Sequence, residues 1–416
     1  MRCFFCCLMT TVFIMGSSQV LFATAKNIPT QSAQWLASAG TRVAETEDGD
    51  TVFLNPAGST EMADGLHFHI SAMNPVDNTT YTDESTGKKY LRMTDSIYTP
   101  FAFTYKSDDY ATFFTFSIPG ATGGGEFDDN GIYIFDMMAD IYSGTQSEEV
   151  VATNRSFKYS AGLGAFTLGG AMKFGDTLSL AYGIRQVFYQ YAADGGADMV
   201  VVSSGENIGR FGMDAEASGS GIGHVIGINI KFSDNFNVAM RYDTEVPIRT
   251  ETTVGAADTT GAVNGEKKDD NLPATAQLGI ALQLTDSLKL DIAYGIYFQK
   301  GVKMEPGTEY TDKYNDEFAI GAGLKYTMGD LLTLRTGLRY SSGDPDEALT
   351  FTYMNSKTSY TGIGLGVDLN LTSDITILLA HIQYNFAMGR SLADPYGTFK
   401  IDEQTYQSAL GLEMRF

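Results

Sequence analysis

Cysteine is almost missing from this chain: Cys3, Cys6 and Cys7 are its only three, and none follows residue 7. The body of the protein therefore has no thiol for a disulfide framework or a thiolate metal site. Basic residues are also scarce, with 28 Lys and Arg against 50 Asp and Glu and a formal charge of −22. Phosphate backbones are held by clusters of Lys and Arg, so this balance excludes nucleic acid as a partner. Long apolar runs are lacking as well. No stretch after residue 25 reaches eighteen consecutive apolar residues, which rules out a membrane-crossing helix. No G-x-S-x-G elbow, G-x-x-x-x-G-K-[ST] loop or H-E-x-x-H pair occurs, so the common hydrolase, nucleotide and metalloprotease signatures are absent.

What is abundant is glycine, 45 residues, with 23 Tyr and 26 Phe against 10 Pro and a single Trp. Glycine at this level makes poor helices and points to strands. The first residues read as an export leader. Arg2 heads it, residues 4–15 form an apolar run, and Ala23-x-Ala25 offers a cleavage site, predicting a signal peptide over 1–25. Loss of Arg2 with that leader takes the formal charge to −23.

Beyond the leader, period-two alternation predicts strands near 65–74, 96–106, 110–119, 157–174, 177–190, 221–233 and 236–247. Seven more follow near 273–285, 288–299, 316–328, 331–342, 358–372, 374–388 and 404–416. The connections alternate between tight turns, such as Gly175-Asp176 and Thr285-Asp286-Ser287, and long polar insertions at 75–95, 120–156, 191–220, 248–272, 300–315, 343–357 and 389–403. Fourteen strands with short turns at one end and long loops at the other are the pattern of an antiparallel transmembrane β-barrel, here over 65–416. Facing agrees. Leu288, Leu290, Ile292, Tyr294, Ile296 and Phe298 share one side of their strand, and Lys289, Asp291, Ala293, Gly295 and Tyr297 share the other. Leu332, Leu334, Leu338 and Tyr340 likewise oppose Thr333, Arg335, Gly337 and Arg339. Charge is expensive against lipid, so the charged side must face the bore. Tyr406, Ser408, Leu410, Leu412, Met414 and Phe416 would then lie on the lipid side of a last strand that closes on the first, because an open edge is not tolerated in lipid.

Residues 26–64 lack this alternation and precede the first strand. Within them, Ala37 to Gly40, the acidic Glu45 to Asp50 run and Asn55-Pro56-Ala57-Gly58 resemble the amino-terminal plug, or hatch, of the FadL-type family, the outer-membrane transporters of long-chain fatty acids and other hydrophobic compounds. A second match is "SIPGATGGGEF", residues 117–127, which resembles the inward break in that family's third strand; Pro119 and Gly120 suit such a break physically. Gly123 to Gly125 depart from the family pattern. A terminal Phe also resembles the carboxy-terminal assembly signal of bacterial outer-membrane proteins.

The resemblance implies a monomer in the bacterial outer membrane with both termini on the periplasmic side. It implies a passive transporter, not an enzyme, with no cofactor. A fatty-acid-like ligand would bind inside the barrel and leave sideways beside the kinked third strand, while Asn55, Pro56 and Ala57 hold the plug against the broken wall. The Asn55 side chain would serve backbone groups freed at Pro119 and Gly120. From physics alone, a ligand carboxylate in the bore would seek a cation, and Arg185, Arg241, Arg335 and Arg339 are the candidates. The same arginines would equally serve to brace the barrel by pairing with Asp243, Asp291 and Asp368. "YIFDMMADIYSG" in loop 120–156 predicts an amphipathic helix that either captures ligand or packs on its own loop. His67 and His69 share a strand face, but without cysteine they predict hydrogen bonding and no metal. Two alternatives stand beside the transporter: a general porin, which needs no plug, and an outer-membrane lipid hydrolase, which needs a nucleophile with a His base.

Overall fold

The computed structural model describes residues 31–119, 123–127, 130–302, 315–342, 359–386, 390–394 and 397–416. The leader over 1–25 and Gly120 lie outside the described residues.

Alternation of apolar and polar positions builds one closed antiparallel wall. Its first strand is β1 (Gly65–Asp83). The second comes in two pieces, β2 (Lys89–Asp95) and β3 (Phe101–Ser107), as does the third, β4 (Tyr110–Ser117) and β5 (Gly123–Phe127). The fourth to sixth are β6 (Val150–Phe174), β7 (Leu178–Val201) and β8 (Asn207–Ser233). The seventh joins β9 (Phe236–Asp243) to β10 (Arg249–Val254), and the eighth β11 (Lys267–Asp269) to β12 (Ala274–Thr285). Then follow β13 (Leu288–Phe298), β14 (Glu317–Met328), β15 (Leu332–Ser341) and β16 (Tyr360–Asn370). The thirteenth combines β17 (Ile375–Phe386) with β18 (Arg390–Asp394), and β19 (Gly397–Arg415) is the fourteenth.

Closure occurs where the alternation of the last residues requires it. β19 pairs with β1 from Asp83↔Phe399 to His67↔Arg415, and Leu66 and Phe416 exchange backbone hydrogen bonds of 3.0 and 2.8 Å. Phe416 thus sits at the end of the barrel that carries the short turns, beside the β3–β4 hairpin. The outer face is apolar: Ile292, Tyr294, Leu334, Leu338, Tyr340 and Leu410 are all exposed, while Lys289, Asp291, Arg335 and Arg339 are buried inside. Only hydrocarbon can solvate such a belt at no cost, so this wall spans a membrane.

The strand number agrees with the sequence expectation, but the strand lengths do not. β6, β7 and β8 run 25, 24 and 27 residues, where about ten suffice to cross a bilayer. Residues 191–220, expected as a loop, are mostly ladder, with β7 and β8 paired from Leu178↔Ile230 to Val200↔Asn207. Above the lipid both faces of a strand are free to be polar, so alternation fades while pairing continues. Parts of 75–95 and 248–272 are strand for the same reason. The expected helix forms as α3 (Tyr133–Gln146, following α1 and α2 of the plug below), ending at Ser147 in the left-handed region. Its Phe135, Met137, Met138 and Ala139 are buried in a core with Val150, Phe157, Tyr189, Met199 and Phe211, so this loop packs on the tall strands. Asp136 ties it down, accepting from Lys88 Nζ at 2.6 Å, Tyr90 Oη at 2.7 Å and Arg155.

The bore is filled by residues 31–64, which are buried apart from a few positions around Glu47 and Asp64. This plug holds α1 (Ala33–Ala37), capped by Ser32 Oγ accepting from the Trp35 amide at 2.9 Å, and α2 (Thr51–Leu54). A 3-10 turn, Pro56–Glu61, follows, capped by Asn55. Proline at its first position costs no hydrogen bond and presets φ. The wall accepts the plug through glycines that face inward. A Cβ at Gly337 would overlap the Ser38 carbonyl, and one at Gly364 would overlap the Leu36 carbonyl. Only a residue without a side chain lets the two backbones meet there.

Candidate functional site: a plugged bore with a broken wall

The wall is interrupted beside Pro119. β4 pairs with β6 as far as Ser117↔Ala165, and β5 resumes at Gly123↔Ala161, so five positions of the third strand stand against three of β6. Proline cannot donate to a ladder, which explains why pairing stops at this point. Ile118, whose place in the alternation would face lipid, is only 4% exposed, and its neighbours Ser117 and Pro119 line a cavity in the bore. The second strand breaks at the same level, between Asp95 and Phe101. The strand expected over 96–106 therefore begins only at Phe101, and Pro100 is the residue in the sequence that signals the break.

A cavity that opens to solvent lies in the bore behind the break. Val52, Phe53, Phe113, Val225, Leu272 and Pro273 give it apolar patches, Gln31, Thr115, Ser117, Thr167, Thr275 and Gln277 line the rest with polar groups, and Arg185, Arg241 and Asp243 give it one charged corner. Asp243 accepts from Arg185 at 2.9 Å and from Arg241 at 2.8 and 3.0 Å. Arg241 also donates to the Phe53 carbonyl at the end of α2, linking this corner to the plug. Two guanidiniums around one carboxylate leave a unit of positive charge in a place largely shielded from water, where charge counts for most.

The other two candidate arginines lie elsewhere. Arg335 donates to Asp368 at 2.6 Å and to Asp48 of the plug at 2.8 Å. Arg339 donates to Tyr297 Oη at 3.0 Å and lies 5.7 Å from the centre of the Trp35 ring. Asp243 and Asp368 therefore brace arginines as the sequence allowed; no hydrogen bond from the four arginines reaches Asp291 among the described residues. The structure brings Arg185 and Arg241 together with Pro119 around one cavity and keeps Arg335 and Arg339 out of it.

Asn55 reaches a different partner from the one expected. Its Nδ2 donates to the Ile228 carbonyl of β8 at 2.9 Å, and its Oδ1 accepts from the Ala57 amide at 3.2 Å. It ties the 3-10 turn to the sixth strand, because β8 turns the inward-facing Gly227 toward it and leaves room for the amide. No described bond runs from Asn55 to the chain around Pro119.

A clamp of charges was not read from the sequence. Arg42, fully buried, donates to Asp50 at 2.8 and 3.0 Å and to Asp48. Glu45 accepts from Lys289 at 2.9 Å, and Glu47 from Lys325 at 3.0 Å. The cations around them hold the Glu45 and Asp48 carboxyls below the usual carboxylate range despite their burial, and the acids around Arg42 raise its guanidinium further. All stay charged through neutral pH. The acidic run Glu45 to Asp50 was the visible half of this clamp; the other half is spread over β13, β14 and β15.

His67 and His69 hydrogen-bond to the Ala63 carbonyl at 2.7 Å and to Ser71 Oγ at 2.9 Å. No cluster of three or more metal-ligating side chains occurs among the described residues.

No protein-family model matches the sequence, and no curated protein does. Solved structures do match. The toluene transporter TbuX of Ralstonia pickettii superimposes with a TM-score of 0.64 at 15% identity, over 94% of this chain and 99% of that one. A Pseudomonas aeruginosa FadL homologue gives 0.64 at 14% over the same shares, and the Pseudomonas putida toluene transporter TodX gives 0.65 at 14%, again over 94% and 99%. Over the described residues, plug and fourteen-stranded wall together, the chain has the fold of the FadL-type outer-membrane transporters.

Proposed function

We propose that the protein is a passive outer-membrane transporter of hydrophobic molecules carrying one acidic group, long-chain fatty acids or compounds like them. The observation that carries this reading is the cavity behind Pro119, which sets Val52, Phe53 and Phe113 beside the cationic Arg185–Arg241–Asp243 corner. A carboxylate satisfies the unit of positive charge there, and the tail is sheltered by Phe53, Phe113 and Val52. The apolar cargo of the toluene transporters with the same fold supports the hydrophobic half of the reading.

The break beside Pro119 is the exit. A greasy molecule leaves the bore there directly into lipid and never crosses water, so downhill partition is drive enough. Asn55-Pro56-Ala57-Gly58 anchors the plug on β8, and movement of that turn carries Phe53 and its hold on Arg241 away from the cavity. The protein works as a monomer with the short turns and both termini in the periplasm, and performs no chemistry on its cargo.

Arg185→Gln tests the ligand class, because Arg241 still holds Asp243 in that variant. Oleate binding, measured by titration of the detergent-solubilised protein, should weaken about ten-fold, the equivalent of 1.4 kcal/mol, with toluene binding unchanged. Saturable toluene binding with no saturable oleate binding in either protein would replace the acid with a neutral hydrocarbon.

A further inference from the structure

Among the described residues, the buried cations have carboxylate partners with one exception. Arg42, Arg92, Arg185, Arg241 and Arg335 each pair with an aspartate, and Lys106, Lys268 and Lys289 each with an acidic side chain. Arg339 is only 8% exposed and pairs with none. Its Nη2 donates to Tyr297 Oη at 3.0 Å, its guanidinium lies 5.7 Å from the centre of the Trp35 ring, and its Nε has no acceptor. A phenol oxygen and a ring face offset only part of what a guanidinium loses on leaving water. The same group borders a second cavity, between the plug and β12 to β15. Gly40 and Thr41 line it from the plug, and Ala293, Gly295, Ala319 and Gly321 from the wall. Gly40, at φ 76°, leaves the space that Arg339 Nη1 takes, since a Cβ there would come within 2.7 Å of it. The plug backbone is shaped around the charge.

We infer that Arg339 is a second anion seat in the bore, separate from the Arg185–Arg241–Asp243 corner, and that it takes the carboxylate of a short-chain monocarboxylate. Its N–H groups form a planar fork that meets the two oxygens of a carboxylate with parallel bonds, where a spherical ion takes fewer. The walls set the size of the ligand. Glycine and alanine leave space beside the guanidinium for a short apolar tail, and the plug on one side and the strands on the other leave none for a long one. Gln277 and Tyr297 line this cavity and also the one behind Pro119, so the two seats are neighbours. They use different arginines, and this one goes beyond the acidic cargo proposed above without depending on it.

The chain's single tryptophan makes a direct test available, because Trp35 lies beside Arg339. Trp35 emission is followed in the detergent-solubilised protein as sodium butanoate is added, with sodium chloride in a parallel titration. The parent protein should give a saturable change with butanoate and none with chloride. Arg339→Gln removes the charge. Gly295→Leu fills the cavity from the wall, where a Cβ meets only the Gln277 side chain and the Ala276 carbonyl, at 3.6 and 3.7 Å. Each should weaken the butanoate response at least ten-fold, with Arg185→Gln within two-fold of the parent. Retention of the heat-resistant folded band on gels checks each barrel. No saturable response in the parent, or a chloride response with the same midpoint, overturns the seat. A butanoate response lost in R185Q and kept in R339Q also overturns it and puts the ligand in the first cavity. Oleate binding unmoved by R185Q, with the butanoate response lost in R339Q, removes the ligand class proposed for the first cavity and leaves this seat standing.

Discussion

Valine in place of Gly337 should give a barrel that still folds but whose bore stands open. The added side chain would occupy the Ser38 carbonyl, and neither backbone can retreat: β15 is fixed by its ladders to β14 and β16, and α1 is seated on Gly364 at the same level. Overlap with main chain is not relieved by a rotamer change. The wall is stabilised by backbone hydrogen bonds around the whole circle and the plug only by packing and a set of side-chain hydrogen bonds and ion pairs, so the plug gives way. Planar-bilayer recordings should show steady ion conductance at least ten-fold above the parent protein, and protease added from the short-turn side should cut within residues 31–64. A closed, protease-resistant G337V would mean that the plug does not depend on this seat.

Arg42→Met attacks the same assembly through charge. Arg42 is the one cation of the plug's acidic segment and holds Asp50 and Asp48 from inside. Its loss leaves Asp50 with only the Ser32 hydroxyl, 2.6 Å away, among the described partners that donate to it. Removing one partner of a buried ion pair costs about 3–5 kcal/mol, because the remaining charge is neither solvated nor matched. The variant should lose stability of that order in urea titrations of the protein in micelles, and R42M/D50N should recover a large part of it. Equal losses in the single and double variants would show that Arg42 serves by its volume and not by its charge.

The two results would bear on what the sequence discloses and what it hides. The fourteen strands were legible because lipid enforces a strict period of two: outward Leu338 and inward Arg339 cannot exchange places without cost. The closing role of the "SALGLEMRF" strand was legible for the same reason. Outside the membrane the rule lapses, so the upper parts of β7 and β8, and the first seven residues of β6, read as loops. The inward position of the glycines was visible in "RTGLRY" and "YTGIGLGVD", but not their purpose, since a seat for the plug exists only once residues far apart in sequence are brought together in the bore. Arg185 and Asp243 stand 58 positions apart and Glu45 and Lys289 stand 244 apart, and no local pattern links either pair. Asn55 illustrates a finer limit. Its amide was expected to find a backbone partner, yet the choice of Ile228 over the chain near Pro119 depends on where Gly227 leaves space.

The central claim is that cargo passes this barrel by a greasy route through its wall while water and hydrophilic solutes are kept out by the plug. One vesicle preparation tests it, loaded with the protein and offered radiolabelled oleate and radiolabelled glucose in parallel. Saturable oleate uptake with glucose influx no greater than in protein-free vesicles is the expected result; rapid glucose influx, with oleate no faster than in protein-free vesicles, would contradict it.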